Sequence, residues 1–136
     1  MAPTYNLPMP QDNPAFAKTF ATLRKLFTPY AKTYPPIVDE PGRYFLATKV
    51  SKTKSGAPIW FGGVEIKKNY VSFHLIPIYM FPDLKKAMSR ELQKRMQGKS
   101  CFNFKKPDAT LFSELERLTA KAVEHFRKMD WSKLQK

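Results

Sequence analysis

The fold of this chain is decided by residues 59–77, which have the sequence IWFGGVEIKKNYVSFHLIP. Two runs of β-branched and aromatic residues, which fit a pleated and half-buried surface, meet there at a short Lys-Lys-Asn break. Asn69 tolerates a positive φ better than most residues, so the break predicts the turn of a β-hairpin. Gly62 and Gly63 lie inside the first strand, where glycine usually marks a β-bulge or a close approach of the backbone, and a bulge is favoured over a contact with a ligand.

Amphipathic helices are predicted on both sides of the hairpin. Asn13 and Pro14 are typical of a helix cap and a first helical residue, and Pro107 and Asp108 open a second helix near the C-terminus. Each helix has an apolar stripe at spacings of three and four residues, which indicates a face that packs on a sheet. The stripes consist of Phe16, Phe20, Leu23, Phe27 and Tyr30 in the first helix, and of Leu111, Leu115, Leu118, Ala122, Phe126 and Met129 in the last.

Further strands extend the predicted sheet on both sides of the hairpin. Residues 43–50 have strand composition, and the proline-rich segment before them is predicted to be a connection. Residues 99–105 alternate, with phenylalanines on one face, as a half-buried strand does. Residues 79–97 have helical spacing and predict one or two short helices, with Ser89 as a cap and Gly98 as a stop.

This order of elements predicts an α+β fold. We expect a two-layer sandwich, in which the N- and C-terminal helices cover one face of an antiparallel sheet of about four or more strands. A chain of 136 residues has the size of one domain. We place this domain at residues 14–129, with an extended N-terminal arm at residues 1–13 and a C-terminal tail at residues 130–136.

The composition predicts a basic protein of the cytoplasm. A formal net charge of +13 attracts polyanions and other anionic ligands. Cys101 is the only cysteine, so no disulfide can form within the chain, and a reducing compartment fits best. The first residues lack the features of a signal peptide, and no apolar run approaches the ~20 residues of a membrane helix. A protein without a membrane segment is therefore expected.

The segment from the hairpin to the last helix resembles the YdhG-like family of small bacterial domains of unknown function. The resemblance rests on PIWFGGVEIKKNYVSFHLIP, followed by GKS, FNF and a Leu-rich amphipathic helix, and it covers residues 57–128. It implies the frataxin-like two-layer fold that part of the family has. It also implies a role as an iron chaperone for iron–sulfur cluster assembly.

The acidic residues of this chain disfavour the iron role. Frataxin-type proteins hold iron through a ridge of Asp and Glu on the first helix and the next strand, because a hard cation prefers carboxylate oxygens. Between Asp12 and Asp39 this chain has no acidic residue. His74, His125 and Cys101 lack the spacing that is typical of a zinc site. We therefore expect no metal and no other cofactor.

The sheet face away from the helices is the first candidate for a functional site. If Val71, Phe73 and Leu75 point toward the helices, the residues between them lie on this open face. The alternatives are a solvated face with an incidental histidine, and an enzyme in which Cys101 is a nucleophile and His74 its base. The candidate ligand-binding residues are Trp60, Tyr70, Ser72, His74, Tyr79, Cys101, Asn103 and Lys105.

The basic segment 85–106 is the second candidate. It could bind nucleic acid or another polyanion without sequence preference, or it could be a solvated helix face. Glu91 is the only acidic residue within it. The candidate polyanion-binding residues are Lys85, Lys86, Arg90, Lys94, Arg95 and Lys99, and Lys105 and Lys106 follow them.

No motif of a known catalytic class is present, since the chain lacks a Gly-rich phosphate loop, a G-x-S-x-G elbow and a paired-carboxylate arrangement. The sequence therefore predicts a non-catalytic domain that binds a small ligand or a protein partner on the open face of its sheet. Polyanion binding by the basic segment and the iron role implied by the resemblance are the alternatives.

Overall fold

The computed structural model describes residues 13–51 and 57–129, and the predicted C-terminal tail and residues 1–12 of the predicted arm lie outside this part of the chain. The described residues form an α+β sandwich with one antiparallel sheet, in the order β1-β2-β3-β4-β6-β5. This architecture confirms the predicted fold class. The strands are β1 (Pro36–Glu40), β2 (Arg43–Ser51), β3 (Pro58–Ile66), β4 (Val71–Leu75), β5 (Met96–Gln97) and β6 (Cys101–Phe104).

Both long helices begin at the predicted caps. The side chain of Asn13 accepts hydrogen bonds from the backbone N–H groups of Ala15 and Phe16, and Asp108 accepts one from Leu111. In the described part of the chain, no helix has the length and apolar character that a membrane crossing requires. The helices are α1 (Pro14–Arg24), a 3-10 helix (Thr28–Tyr30), α2 (Ile76–Met80), α3 (Pro82–Lys86), α4 (Arg90–Gln93) and α5 (Ala109–Lys128).

The core lies between the sheet and the two long helices. Phe27 follows α1 and stacks on Phe73 of β4, with ring centroids 4.8 Å apart. Phe126 of α5 meets Phe61 of β3 edge to face at 5.7 Å, and Leu115 is fully buried. The predicted packing of the two helices on one face of the sheet is confirmed. Helix α1 is shorter than predicted and ends at Arg24, so Phe27 and Tyr30 of its stripe lie in the turn and the 3-10 helix that follow, and Met129 lies just after α5. Two residues of the first stripe, Phe20 and Tyr30, are only partly buried against this core.

The turn of the predicted hairpin differs from the expectation. Strands β3 and β4 pair as far as Ile66 and Val71, and a four-residue connection closes with a 2.7 Å hydrogen bond from the N–H of Lys67 to the carbonyl of Tyr70. Among the described residues, every non-glycine φ is negative, so the predicted use of Asn69 was wrong. A four-residue loop can reverse the chain without the left-handed residue that a two-residue turn of type I′ needs.

Two strands arise where the sequence did not predict them. The proline-rich connection contains β1, and Pro36 is tolerated there because an edge strand leaves some N–H groups unpaired. The segment predicted to be helical, residues 79–97, contains the end of α2 and all of α3 and α4, and it ends in β5. Ser89 caps α4 as predicted, whereas Gly98, with φ of 78°, lies in the turn between β5 and β6 instead of ending a helix.

Strand β3 contains a bulge, as predicted, but at Phe61 and not at the two glycines, which keep a regular pairing with β2. Gly62 pairs with Leu46, but Trp60 pairs with the next residue of β2, Ala47, so Phe61 is the extra residue. Phe61 is therefore fully buried among the helices, while Trp60 lies on the open face with 37% of its surface exposed. The bulge decides which of two adjacent aromatic residues is available to a ligand.

Candidate functional site

The candidate site lies on the open face of β2, β3, β4 and β6. His74 of β4 and Cys101 of β6 are paired in the sheet register, and Cys101 Sγ lies 2.9 Å from His74 Nδ1. The residues that alternate with them are fully or almost fully buried on the helix side, as pleating predicts. These buried residues are Val71, Phe73, Leu75, Phe102 and Phe104.

Glu65 extends this pair into a row of three side chains. Its Oε1 lies 3.5 Å from His74 Nε2, on the side of the imidazole opposite Cys101. The carboxylate is 14% exposed and contacts Lys67 Nζ at 2.9 Å and Arg43 Nε at 3.3 Å. A thiol, an imidazole and a carboxylate are thus arranged in the order of nucleophile, base and orienting group.

The electrostatics of this row favour uncharged sulfur and nitrogen. Burial raises the pKa of the Cys101 thiol and lowers the pKa of His74, although Glu65 pulls the pKa of His74 upward. Burial also acts to raise the pKa of Glu65, but Lys67, His74 and Arg43 outweigh it and lower this pKa. In the resting state that fits this geometry the thiol donates to Nδ1, and Nε2 carries the imidazole proton. The Nε2 atom is buried and, among the described residues, has no hydrogen-bond partner, since Glu65 Oε1 at 3.5 Å gives only an electrostatic contact.

An aromatic floor lies beside this row. The ring of Phe45 is buried between Trp60, at a centroid distance of 4.8 Å, and His74, at 5.5 Å. A methyl group on Gly63 would overlap the ring of Phe45, so only glycine lets the ring lie flat across β3. The second glycine of the pair, Gly62, has the same role on the helix face, where a Cβ would come within 2.9 Å of Phe27.

The row and the floor border a shallow depression of about 300 Å³. Its lining combines apolar side chains with charged ones. Its lining residues are Arg43, Phe45, Trp60, Gly62, Glu65, Lys67, His74 and Ile76.

The other residues predicted for this site have different surroundings. Ser72 is almost completely buried, opposite Asn103 in the register. Asn103 Oδ1 is also buried, and within the described ranges it has no hydrogen-bond partner. Tyr70 is half-buried in the connection from β3 to β4, and Lys105 is exposed just after β6. Cys101 contacts His74 but does not line the depression.

The sequence analysis named Trp60 and His74 among the eight lining residues and missed the other six, four of which carry charged or aromatic side chains. Glu65 and Lys67 alternate with buried Val64 and with Ile66, so the β-period of this strand carried a signal for both of them. The register then pairs Arg43 with Glu65 and Phe45 with Gly63. No signal distinguished Phe45, because a large apolar side chain in a strand is expected in the main core.

Tyr79 does not lie at the sheet-face depression. It belongs to α2 and lines a separate groove of about 690 Å³, together with Lys85, Lys86 and Lys99. The structure therefore joins one residue from the first predicted site with three from the second. We call this depression the Tyr79 groove.

The remaining basic residues of the second predicted site do not line this groove. Lys94 forms an ion pair with Glu91 at 3.3 Å, and the guanidinium of Arg95 lies 5.8 Å from the ring centroid of Phe104. Arg90 is exposed at the start of α4. Of the six predicted polyanion-binding residues, three therefore line the Tyr79 groove, and Arg90, Lys94 and Arg95 lie elsewhere.

Comparisons with protein-family models, with curated proteins and with solved structures found no significant match. The resemblance to the YdhG-like family therefore stays a prediction, as does the iron role that it implies. Within residues 13–51 and 57–129, no group of three or more His, Cys, Asp or Glu side chains is placed to hold a metal ion.

Proposed function

We propose that this protein is a non-catalytic binding domain, whose open sheet face holds a small flat molecule that carries carbonyl or carboxylate oxygens. The observation that carries the proposal is the aromatic floor of Phe45 and Trp60 beside the cations Arg43 and Lys67, in one depression of about 300 Å³. This volume is at the lower end of the range for small-molecule sites, and a mainly apolar lining with a few polar groups is typical of them.

The hydrogen-bonding groups around the depression favour a ligand with acceptor oxygens. Both oxygens of Glu65 already contact cationic side chains, Arg43 through Oε2 and Lys67 through Oε1. Arg43 also donates through Nη1 to Glu40 Oε1 at 3.1 Å. An arginine has five N–H donors and a lysine has three, so donors remain after all of these contacts. A carboxylate or carbonyl group can use them, while a flat apolar portion covers Trp60.

The state of Cys101 and His74 supports binding over catalysis. A nucleophilic cysteine requires a thiolate, and burial disfavours the charged form of both side chains. In this proposal His74 contributes a wall of the site and holds the thiol in place.

The proposal is tested by titrating benzoate and benzylamine, which share a flat ring and differ in the polar end. Trp60 fluorescence reports binding in a variant whose other tryptophan, Trp131, is replaced by Phe. We expect saturable binding of benzoate only. Lys67→Gln should weaken it about tenfold, the order of one charge-assisted hydrogen bond.

Lys68→Gln is the matched control, because Lys68 is the exposed neighbour of Lys67 and does not line the depression. It should leave the affinity unchanged. Equal binding of benzoate and benzylamine, or an equal loss in both lysine variants, would contradict the proposed ligand chemistry.

A further inference from the structure

The Tyr79 groove combines an exposed aromatic ring with ammonium groups. Tyr79 is 61% exposed, the highest value among the exposed large hydrophobic side chains of the described chain. Lys99 Nζ lies 5.2 Å from the centroid of its ring. Lys85 and Lys86 reach the same groove from α3, and Gln93 reaches it from α4. All charged side chains that line it are therefore cationic.

The nearest acidic residues in the sequence have partners elsewhere. Asp83, in the first turn of α3, hydrogen bonds through Oδ2 to His125 Nε2 of α5 at 2.6 Å. Glu91 of α4 pairs with Lys94. The groove thus keeps an uncompensated positive charge, within a chain whose formal net charge is +13.

The helix that carries Tyr79 is anchored in the core by its buried neighbours. Tyr79 follows Ile78, which is 3% exposed, and Leu84 of α3 is 1% exposed, so the apolar sides of α2 and α3 are anchored in the core. An exposed tyrosine on an anchored helix presents its aromatic face at a small cost in conformational entropy.

From these observations we infer that the Tyr79 groove binds single-stranded nucleic acid, with an unpaired base stacked on Tyr79 and the adjoining phosphates held by Lys85, Lys86 and Lys99. A basic groove with a stacking aromatic residue is the common arrangement for sequence-tolerant binding of single strands. A duplex hides the faces of its bases and cannot use the ring. This inference is independent of the sheet-face ligand, because the two depressions share no residue.

The aromatic part of the inference is tested with a fluorescein-labelled dT12 oligonucleotide, by anisotropy at low salt. Tyr79→Leu should weaken binding about tenfold, within the range that one stacked base contributes, and Tyr79→Phe should retain the affinity because its ring can still stack. An abasic 12-mer has the same phosphates without bases, so Tyr79→Leu should not change its affinity. Trp60→Leu, on the sheet face, should leave dT12 binding unchanged.

The charged part is tested by the salt dependence of dT12 affinity. A triple variant, Lys85→Gln with Lys86→Gln and Lys99→Gln, should reduce the slope of log affinity against log salt by about 2, since each phosphate contact contributes about 0.7 for a single strand. The matched control replaces three exposed lysines away from the groove, and it should leave the slope unchanged. The three lysines replaced in this control are Lys18, Lys25 and Lys32.

Four results would overturn the inference. The first two are equal dT12 affinities of Tyr79→Leu and Tyr79→Phe, and equal effects of the two triple variants on the salt dependence. The third is a 12-bp duplex that binds as tightly as dT12. The fourth is polyglutamate that displaces dT12 as effectively as unlabelled dT12 does. The last result would indicate an acidic protein partner. Because the substituted side chains are exposed, circular dichroism should show unchanged folding for every variant.

Discussion

Cys101 lies as close to a histidine as an activated thiol does, but its surroundings do not favour the thiolate. Its sulfur is 2.9 Å from His74 Nδ1, a distance at which a proton can pass between thiol and imidazole. Burial opposes the charge on each side, raising the pKa of the thiol and lowering the pKa of the imidazole. Glu65 acts against this on His74 but does not reverse the direction. The neutral pair is therefore the resting state.

The first prediction concerns the reactivity of this thiol. The rate of alkylation by iodoacetamide in the folded protein should have a pH midpoint above the ordinary thiol pKa of about 8.5. Because Cys101 is the only cysteine, mass spectrometry of the intact chain measures this rate directly.

Protein unfolded in urea is the control, and its midpoint should return to the ordinary value. His74→Ala tests the role of the imidazole, and it should not shift the midpoint upward. A folded midpoint below about 7 that rises in His74→Ala would instead identify a thiolate–imidazolium pair and favour an enzyme.

At the scale of elements, α4 depends on a side chain of α5. A helix of four residues is too short to be stable alone. Glu114 of α5 accepts two hydrogen bonds of 2.6 Å, from the backbone N–H and the hydroxyl of Ser89. The same hydroxyl accepts a hydrogen bond from the N–H of Leu92 in the first turn of α4. The carboxylate thus orients the cap residue and fixes α4 on α5.

The second prediction is that Glu114→Ala lowers the free energy of unfolding by about 1 kcal/mol, the usual effect of losing a helix cap. Urea unfolding followed by circular dichroism measures the change. Glu116→Ala removes an exposed glutamate of the same helix, and should change stability by less than about 0.5 kcal/mol. Equal effects of the two substitutions would show that Glu114 does not fix α4.

At the scale of the whole molecule, the two histidines should make stability depend on pH in opposite directions. The hydrogen bond to Asp83 raises the pKa of His125, so the folded state binds a proton more tightly than the unfolded chain. This stabilisation is complete below the unfolded pKa of about 6.5, and is lost as pH rises through the higher folded value. His74 has a lowered pKa, so its effect is a loss of stability as pH falls below about 6.5.

The third prediction isolates the contact between α3 and α5. Asp83→Asn should lower the melting temperature at pH 6, and its effect should diminish toward pH 9 because His125 is then neutral in both states. In a His125→Gln background, Asp83→Asn should have the same effect at both pH values. An Asp83→Asn effect that is independent of pH in the wild-type background would show that the contact is not an ion pair.

Local patterns were sufficient for much of the fold. Asn13 and Asp108 cap their helices through hydrogen bonds to residues two or three positions away, so the signal lies within one short segment. The two faces of β4 follow from pleating, which has a period of two residues whatever the strand pairs with. For the same reason the sequence alone indicated that His74 and Cys101 belong to the open face.

Tertiary structure decided what these residues contact and how they are charged. The bulge at Phe61 directs Trp60 to the open face, and the pairing of β4 with β6 brings His74 within hydrogen-bond distance of a cysteine 27 residues away. Tyr79 meets Lys99 in the same way, across a distance in sequence that no local periodicity spans. Strand register, contacts between distant residues and the burial that shifts a pKa are set by the packing of the whole chain, and short-range patterns do not encode them.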